Sequence, residues 1–253
     1  MPFELNFAQV SEPWMAAQTL VLEVAVVRRA ESPKSQQRLR VLDAYRGQGH
    51  RNANLWLGYS VKTDRDWIVT NDRQYVHWIA ILEADPTVKS FNLRPAVDDS
   101  ASSFPERNPD IEVHRTDGTT EVHRVVLASN SNIDLAKADG TFSDRKIIVF
   151  QDADLKPKVR FAVRWAKVLG YAAVIRGQKH APVHVALLAA LTQRRAGRIS
   201  EILDDLLGFD PPVVIGVLAR LAIAGQVSLD LSSSGFCHST TWQWNEREPD
   251  VVA

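Results

Sequence analysis

Asp210-Pro211 constrains the fold of this chain more than any other pair of residues, because it marks a helix start in two independent ways. An aspartate accepts hydrogen bonds from the open N–H groups of a first turn, and a proline at the first helical position gives up no bond that the helix needs. The apolar run that follows reaches Ala224 and stops at Gly225. Upstream, Pro182 to Gln193 and Ile199 to Leu207 repeat apolar residues at helical spacing. Downstream, Gln226 to Leu231 and Thr240 to Trp244 alternate as strands about the polar tip Ser232 to Gly235. Three helices followed by a hairpin predict a winged helix over residues 180–245, with 246–253 as a tail.

The chain before residue 180 has a different texture. Thr19 to Val27 is β-branched and apolar enough for a strand, and Ser35 to Gln48 is a basic linker broken by Gly47 and Gly49, so 1–57 reads as an N-terminal strand and basic linker. Trp67 to Thr70 predicts a short strand that enters a helix capped by Asn71 or Asp72 and running through Arg73 to Leu82. Lys89 to Leu93 is a strand, and Pro95 to Pro109 a loop. Pro109 to Val113 pairs with a second strand across an Asp117-Gly118 turn. Lys146 to Phe150 is a strand, Lys158 to Leu169 an amphipathic helix ended by Gly170, and Tyr171 to Ile175 a returning strand. Such alternation predicts an α/β domain over 58–179, a mixed sheet with helices on its faces.

A hydrophobic content of 45% and a charged content of 24% describe an ordinary globular chain. The single cysteine, Cys237, excludes an internal disulfide, and apolar runs such as Val183 to Leu191 are too short to cross a bilayer. The expectation is a cytoplasmic protein without a membrane segment. Formal net charge is zero, yet the charges are segregated. Arg28, Arg29, Arg38, Arg40, Arg46 and Arg51 form one basic stretch, Lys158, Arg160, Arg164 and Lys167 a second, and Arg194, Arg195 and Arg198 a third. These are the candidate phosphate contacts, since gripping a nucleic-acid backbone needs local positive potential rather than a high overall charge. The third C-terminal helix offers few polar groups, so Val213, Val214 and Val217 are candidates for docking a protein. His180 and His184 stand four apart with Pro182 between them, which fits a helix start better than a zinc site.

The phrase Leu82-Glu-Ala-Asp-Pro-Thr-Val-Lys-Ser-Phe91, followed by Pro109-Asp110 and the strand after Asp117-Gly118, resembles the N-terminal domain of TnsA, the endonuclease subunit of heteromeric transposases. The order of elements extends the resemblance from about Gly58 to Gln243. It implies a restriction-endonuclease-like mixed sheet followed by a winged helix, with DNA, a transposase subunit and an AAA+ ATPase as partners. The family places a glutamate on the helix before the Asp-Pro phrase, an aspartate on the first hairpin strand and a Glu/Gln-x-Lys triplet on the second. Together these hold magnesium and steady the attacking water.

Counted onto this chain, the helix glutamate falls on Tyr75, the strand aspartate on Asp110 and the triplet on Arg124-Val125-Val126. Such a centre is degenerate and requires no metal. A two-residue turn gives another register, in which Asp110, Glu112 and His114 share a face with Glu121, His123 and Val125. In that register Asp110 and Glu121 hold magnesium and His123 stands in for the lysine. The readings are therefore a non-catalytic subunit of a transposition complex, an active magnesium-dependent endonuclease that cuts transposon ends, and a DNA-binding regulator outside transposition.

Overall fold

The computed structural model divides into two units, Met1–Gly49 and His50–Ala253. It describes residues 54–69, 71–93, 110–126, 146–233 and 235–246, all in the second unit. The predicted strand at Thr19 to Val27, the basic linker and the loop Pro95 to Pro109 lie outside the described residues.

The second unit is mixed α/β. A hairpin, β1 (Trp56–Ser60) and β2 (Arg65–Val69), leads into helix α1 (Asp72–His77). Asn71 caps α1 by accepting from the Gln74 N–H at 2.8 Å. The helix continues over Trp78–Glu83 with the wider i→i+5 pattern, closed by the Ala84 N–H donating to the Ile79 carbonyl at 3.1 Å. Gly58 makes room for this turn, since a Cβ on it would lie 2.1 Å from the Trp78 ring.

Four strands then form the main sheet: β3 (Val88–Leu93), β4 (Asp110–Arg115), β5 (Thr120–Val125) and β6 (Lys146–Phe150), in that spatial order. The first three run antiparallel, and β6 lies parallel to β5. Ile79 and Leu82 of the Trp78–Glu83 stretch, Ile111 and Val113 of β4 and Val125 of β5 belong to the continuous apolar core.

A single helical turn, Asp152–Leu155, leads to α2 (Val159–Val174). Here the structure corrects the sequence reading. Gly170 does not end the helix, and Tyr171 to Ile175 is not a strand. Ala162, Trp165, Val168, Leu169, Ala172 and Ile175 are all buried, and this spacing carries one helical face straight through the glycine.

The C-terminal part contains α3 (Ala181–Arg194), β7 (Ala196–Arg198), α4 (Ile199–Asp205), α5 (Pro211–Ile223), β8 (Val227–Leu229) and β9 (Thr241–Trp244). The short strands form a sheet of order β7-β9-β8. Asp210 and Pro211 start α5 at the predicted place, although the Asp210 side chain makes no capping hydrogen bond, and Gly225 takes the left-handed φ of 78° beyond its end. Helix α5 packs on α2 at very close range. A Cβ on Gly216 would lie 2.7 Å from Ile175 Cγ2 and 2.9 Å from the Tyr171 carbonyl, so only glycine permits this crossing. No helix among the described residues is long and apolar enough to cross a membrane.

Candidate functional site

The hairpin β4–β5 decides which residues share a face. Its loop has three residues, not two: the Arg115 N–H donates to the Thr119 carbonyl at 2.9 Å, and the Gly118 N–H to the Arg115 carbonyl at 3.1 Å. Gly118 takes a φ of 85°, and the Asp117 carboxylate accepts from the Thr119 N–H at 2.9 Å, which fixes the loop. In consequence Asp110 pairs with Arg124, Ile111 with His123 and Val113 with Glu121. Asp110 is in phase with Val122 and Arg124, one residue out of step with Glu121 and His123. The grouping of Asp110, Glu121 and His123 as a catalytic set, and of Asp110 with Glu121 as magnesium ligands, is therefore corrected.

Tyr75, where the resemblance places a helix glutamate, is built into an aromatic stack. Its ring lies 4.0 Å from that of Trp56 and edge-on to Trp78 at 6.3 Å. Burial raises its pKa, so it stays a neutral packing group.

Glu121 and His123 belong to a buried polar string. His77 Nε2 lies 3.1 Å from His123 Nδ1, and His123 Nε2 lies 3.3 Å from Glu121 Oε2. The same carboxylate oxygen accepts from Arg115 Nε at 2.7 Å, and Glu121 Oε1 from Lys146 Nζ at 3.3 Å. Arg115 also donates to Thr87 Oγ1 at 2.6 Å and to Asp85 Oδ2 at 3.3 Å. Phe150 packs against both imidazoles.

The ionisation follows from the surroundings. Burial holds His77 well below the usual imidazole value, and the adjacent His123 adds to this. Burial also lowers His123, against the opposing pull of Glu121. Burial pushes Glu121 up, but the hydrogen bonds from Arg115, His123 and Lys146 outweigh it and hold the carboxyl below its ordinary range. With Glu121 ionised and both rings neutral, His123 Nε2–H donates to Glu121, and His77 Nε2–H donates to His123 Nδ1. His77 Nδ1 is then a bare acceptor, and it is buried without a hydrogen-bond partner. Both His123 nitrogens are thus engaged, and neither offers a lone pair to a metal. Among the described residues no cluster of three or more His, Cys, Asp or Glu side chains is placed to hold a metal ion.

A second buried ionic group closes the wide turn after α1. Lys62 Nζ donates to the Leu82 carbonyl at 2.8 Å and to the Asp85 carbonyl. Burial lowers its pKa to about 8, and burial raises the neighbouring Glu83 to about 7. Sequence reading missed Lys62, Glu83 and Arg115 because nothing in their spacing separates them from surface charges.

The candidate phosphate contacts fall into three groups. Arg28, Arg29, Arg38, Arg40, Arg46 and Arg51 lie outside the described residues. Arg164, Arg194 and Arg195 are committed within the fold. Arg164 donates to the carbonyls of Leu231 (2.6 Å), Ser232 and Ser233 (3.0 Å). Arg194 grips Asp205 through two bonds of 3.0 and 2.8 Å, and Arg195 pairs with Glu246. Lys158, Arg160, Lys167 and Arg198 are exposed and make no ion pair among the described residues.

The docking surface expected on α5 is also corrected. Val214 and Val217 are each 1% exposed and Val213 is half-buried, because α2 and the rest of the core occupy their surroundings. No protein-family model and no curated protein matches this sequence.

Proposed function

We propose that this chain is a non-catalytic, TnsA-like subunit of a DNA transposition complex, with a restriction-endonuclease-like sheet and a C-terminal winged helix. The observation that carries the reading is the hairpin register, which aligns Asp110 with Arg124 instead of with a second acid. Arginine in place of a carboxylate repels magnesium, and Tyr75 in its aromatic stack supplies no ligand from the helix. The architecture supports the assignment. A helix, three antiparallel strands and a fourth strand parallel to the third is the core order expected of restriction-like nucleases. The helix, strand, helix, helix and hairpin that follow are the order of a winged helix.

A sequence-reading regulator is favoured less. Its third helix has to present side chains to base edges. Here α5 is buried, and its one arginine, Arg220, donates from Nε to the Ala172 carbonyl at 3.2 Å. The exposed cations Lys158 and Arg198 suit phosphates, giving DNA binding that depends on salt more than on sequence.

The test is a cleavage assay on supercoiled and end-mimicking DNA with magnesium or manganese. The expected result is intact DNA. Cleavage that disappears in Asp110→Ala would overturn the reading.

A further inference from the structure

The outward face of α2 carries an apolar stripe that no described residue covers. Val159, Val163 and Val174 are 45%, 63% and 58% exposed, and with Gly170 they recur at intervals of four, seven and four residues, which places all four on one side of the helix. Exposed helix positions ordinarily take long polar residues or alanine, and valine lowers helix propensity there. Gly170 weakens the helix further, yet nothing in the fold requires it, because a Cβ at this position meets nothing within 4 Å. The side of α2 that packs inward is complete without these residues, since Ala162, Trp165, Val168, Leu169 and Ala172 form it.

The charge along α2 itself has one sign. Arg160 and Lys167 border it on one side, Ala166 and Ala173 on the other, and no aspartate or glutamate occurs anywhere between Lys156 and Lys179. A second copy of this chain would bring like charge against like. DNA would satisfy the cations but leave three valines facing phosphates. An apolar stripe with a glycine notch and one cationic border matches a helix that has its own apolar stripe edged by Asp or Glu, whose backbone approaches closely at Gly170.

We propose that the Val159–Val163–Gly170–Val174 face of α2 docks an acidic amphipathic helix of a protein partner, over about four turns and ~22 Å. This rests on the reading of the chain as a scaffold subunit and assigns that scaffold its protein-binding surface. The two fail separately. Metal-dependent cleavage by the intact chain removes the scaffold reading, whereas the outcomes below concern this face alone.

The probe is a synthetic four-turn peptide with leucines along one face and glutamates along its borders. A scrambled peptide of the same composition serves as control, and binding to the full chain is followed by fluorescence anisotropy. Val163→Glu and Val174→Glu are each expected to weaken binding by about tenfold or more, and Lys167→Glu by several-fold, with unchanged melting temperatures. Val163→Ser is the milder companion should the glutamate perturb folding. Equal binding of the scrambled peptide, no binding of the designed one, or no effect of Val163→Ser and Val163→Glu would overturn the proposal. So would loss of affinity for a short DNA duplex in Val163→Glu, which would make this a nucleic-acid surface. A dimer in sedimentation that Val163→Glu dissociates would instead make the occupant a second copy.

Discussion

The four-stranded sheet with α1 and the C-terminal helices solve the problem of burial in opposite ways. Among the described residues the buried polar side chains are Ser60, His77, Glu83, Glu121, His123 and Thr240, and all but Thr240 precede residue 126. In α5, by contrast, Val214 to Ala219 and Leu221 to Ile223 are buried without one polar side chain. Apolar burial is non-directional and tolerates small shifts. A buried polar string does not, because each member needs a partner at hydrogen-bond distance, and a half-satisfied string is worse than none. The α1–β5 region is thus the part of the molecule whose exact geometry matters most to its neighbours.

The largest expected effect probes the apolar side of this contrast. Val214→Glu places a carboxylate in the apolar core, where Val214 is 1% exposed, and should cost about 3–5 kcal/mol. Thermal unfolding of the free chain measures this directly. A melting temperature equal to that of the native sequence would mean that α5 exposes this face in solution, and would restore Val213, Val214 and Val217 as a docking surface.

That correction, like the others, has a definite physical origin. The helices around Leu187, Ile202 and Leu218 were legible from their apolar spacing, and Asp210-Pro211 and Gly225 stand where the sequence places them at the ends of the third. Which face α5 buries was not legible, since nearly every residue of the helix is apolar and the spacing selects no side. Gly170 was misread because a glycine ends a helix only where the chain must turn left-handed, and Tyr171, Ala172 and Ile175 instead continue the buried spacing of α2. The hairpin register could not be chosen from the sequence at all. On β5, Glu121, His123 and Val125 alternate with Thr120, Val122 and Arg124, so each face holds one valine or more and polar partners beside it. A single extra loop residue then moved Glu121 and His123 out of phase with Asp110.

The polar side of the comparison is sharpened by pH. His77 and His123 are held neutral by burial, whereas in the unfolded chain they take up protons near pH 6.5. Below that pH the unfolded state binds more protons, so the stability they contribute is present above about 6.5 and is lost as the pH falls through it. Glu83 acts with the opposite sign. Burial raises its carboxyl from 4.5 to about 7, so the folded state binds the extra proton, and its contribution falls as the pH rises between those values. The two effects oppose each other from about pH 6.5 down to 4.5. Glu83→Gln should therefore steepen the acid-side loss by up to about 1.4 kcal/mol per pH unit. The pair His77→Phe with His123→Phe should flatten it. Either histidine replaced alone leaves a partner unsatisfied and costs about 1–3 kcal/mol, more than its share of the double variant. Melting temperatures across pH 4.5–7.5 test all four chains, and parallel profiles would show that the string does not titrate with folding.

The smallest expected effect concerns Arg164, the polar tie that joins the apolar helix pair to the C-terminal hairpin. Its guanidinium donates to the carbonyls of Leu231, Ser232 and Ser233, the residues that turn β8 toward β9. Ser232 and Ser233 are exposed, so in Arg164→Ala water replaces the arginine at their carbonyls at little cost. Leu231 is buried, and its carbonyl loses a charged donor at 2.6 Å that water reaches less easily. A loss of about 1–2 kcal/mol follows, with a melting temperature lower by a few degrees. The local signature is more telling than the global one. Hydrogen exchange should accelerate at the Asp230 N–H, which donates to the Thr241 carbonyl at 2.9 Å next to the tie, while the buried amides of α5 stay protected. Arg164→Lys should recover only part of the protection, because one ammonium cannot reach three carbonyls with the geometry of a planar fork. Unchanged exchange at Asp230 in Arg164→Ala would place the hairpin's order in its own strand pairing, and would leave Arg164 available for phosphate contact.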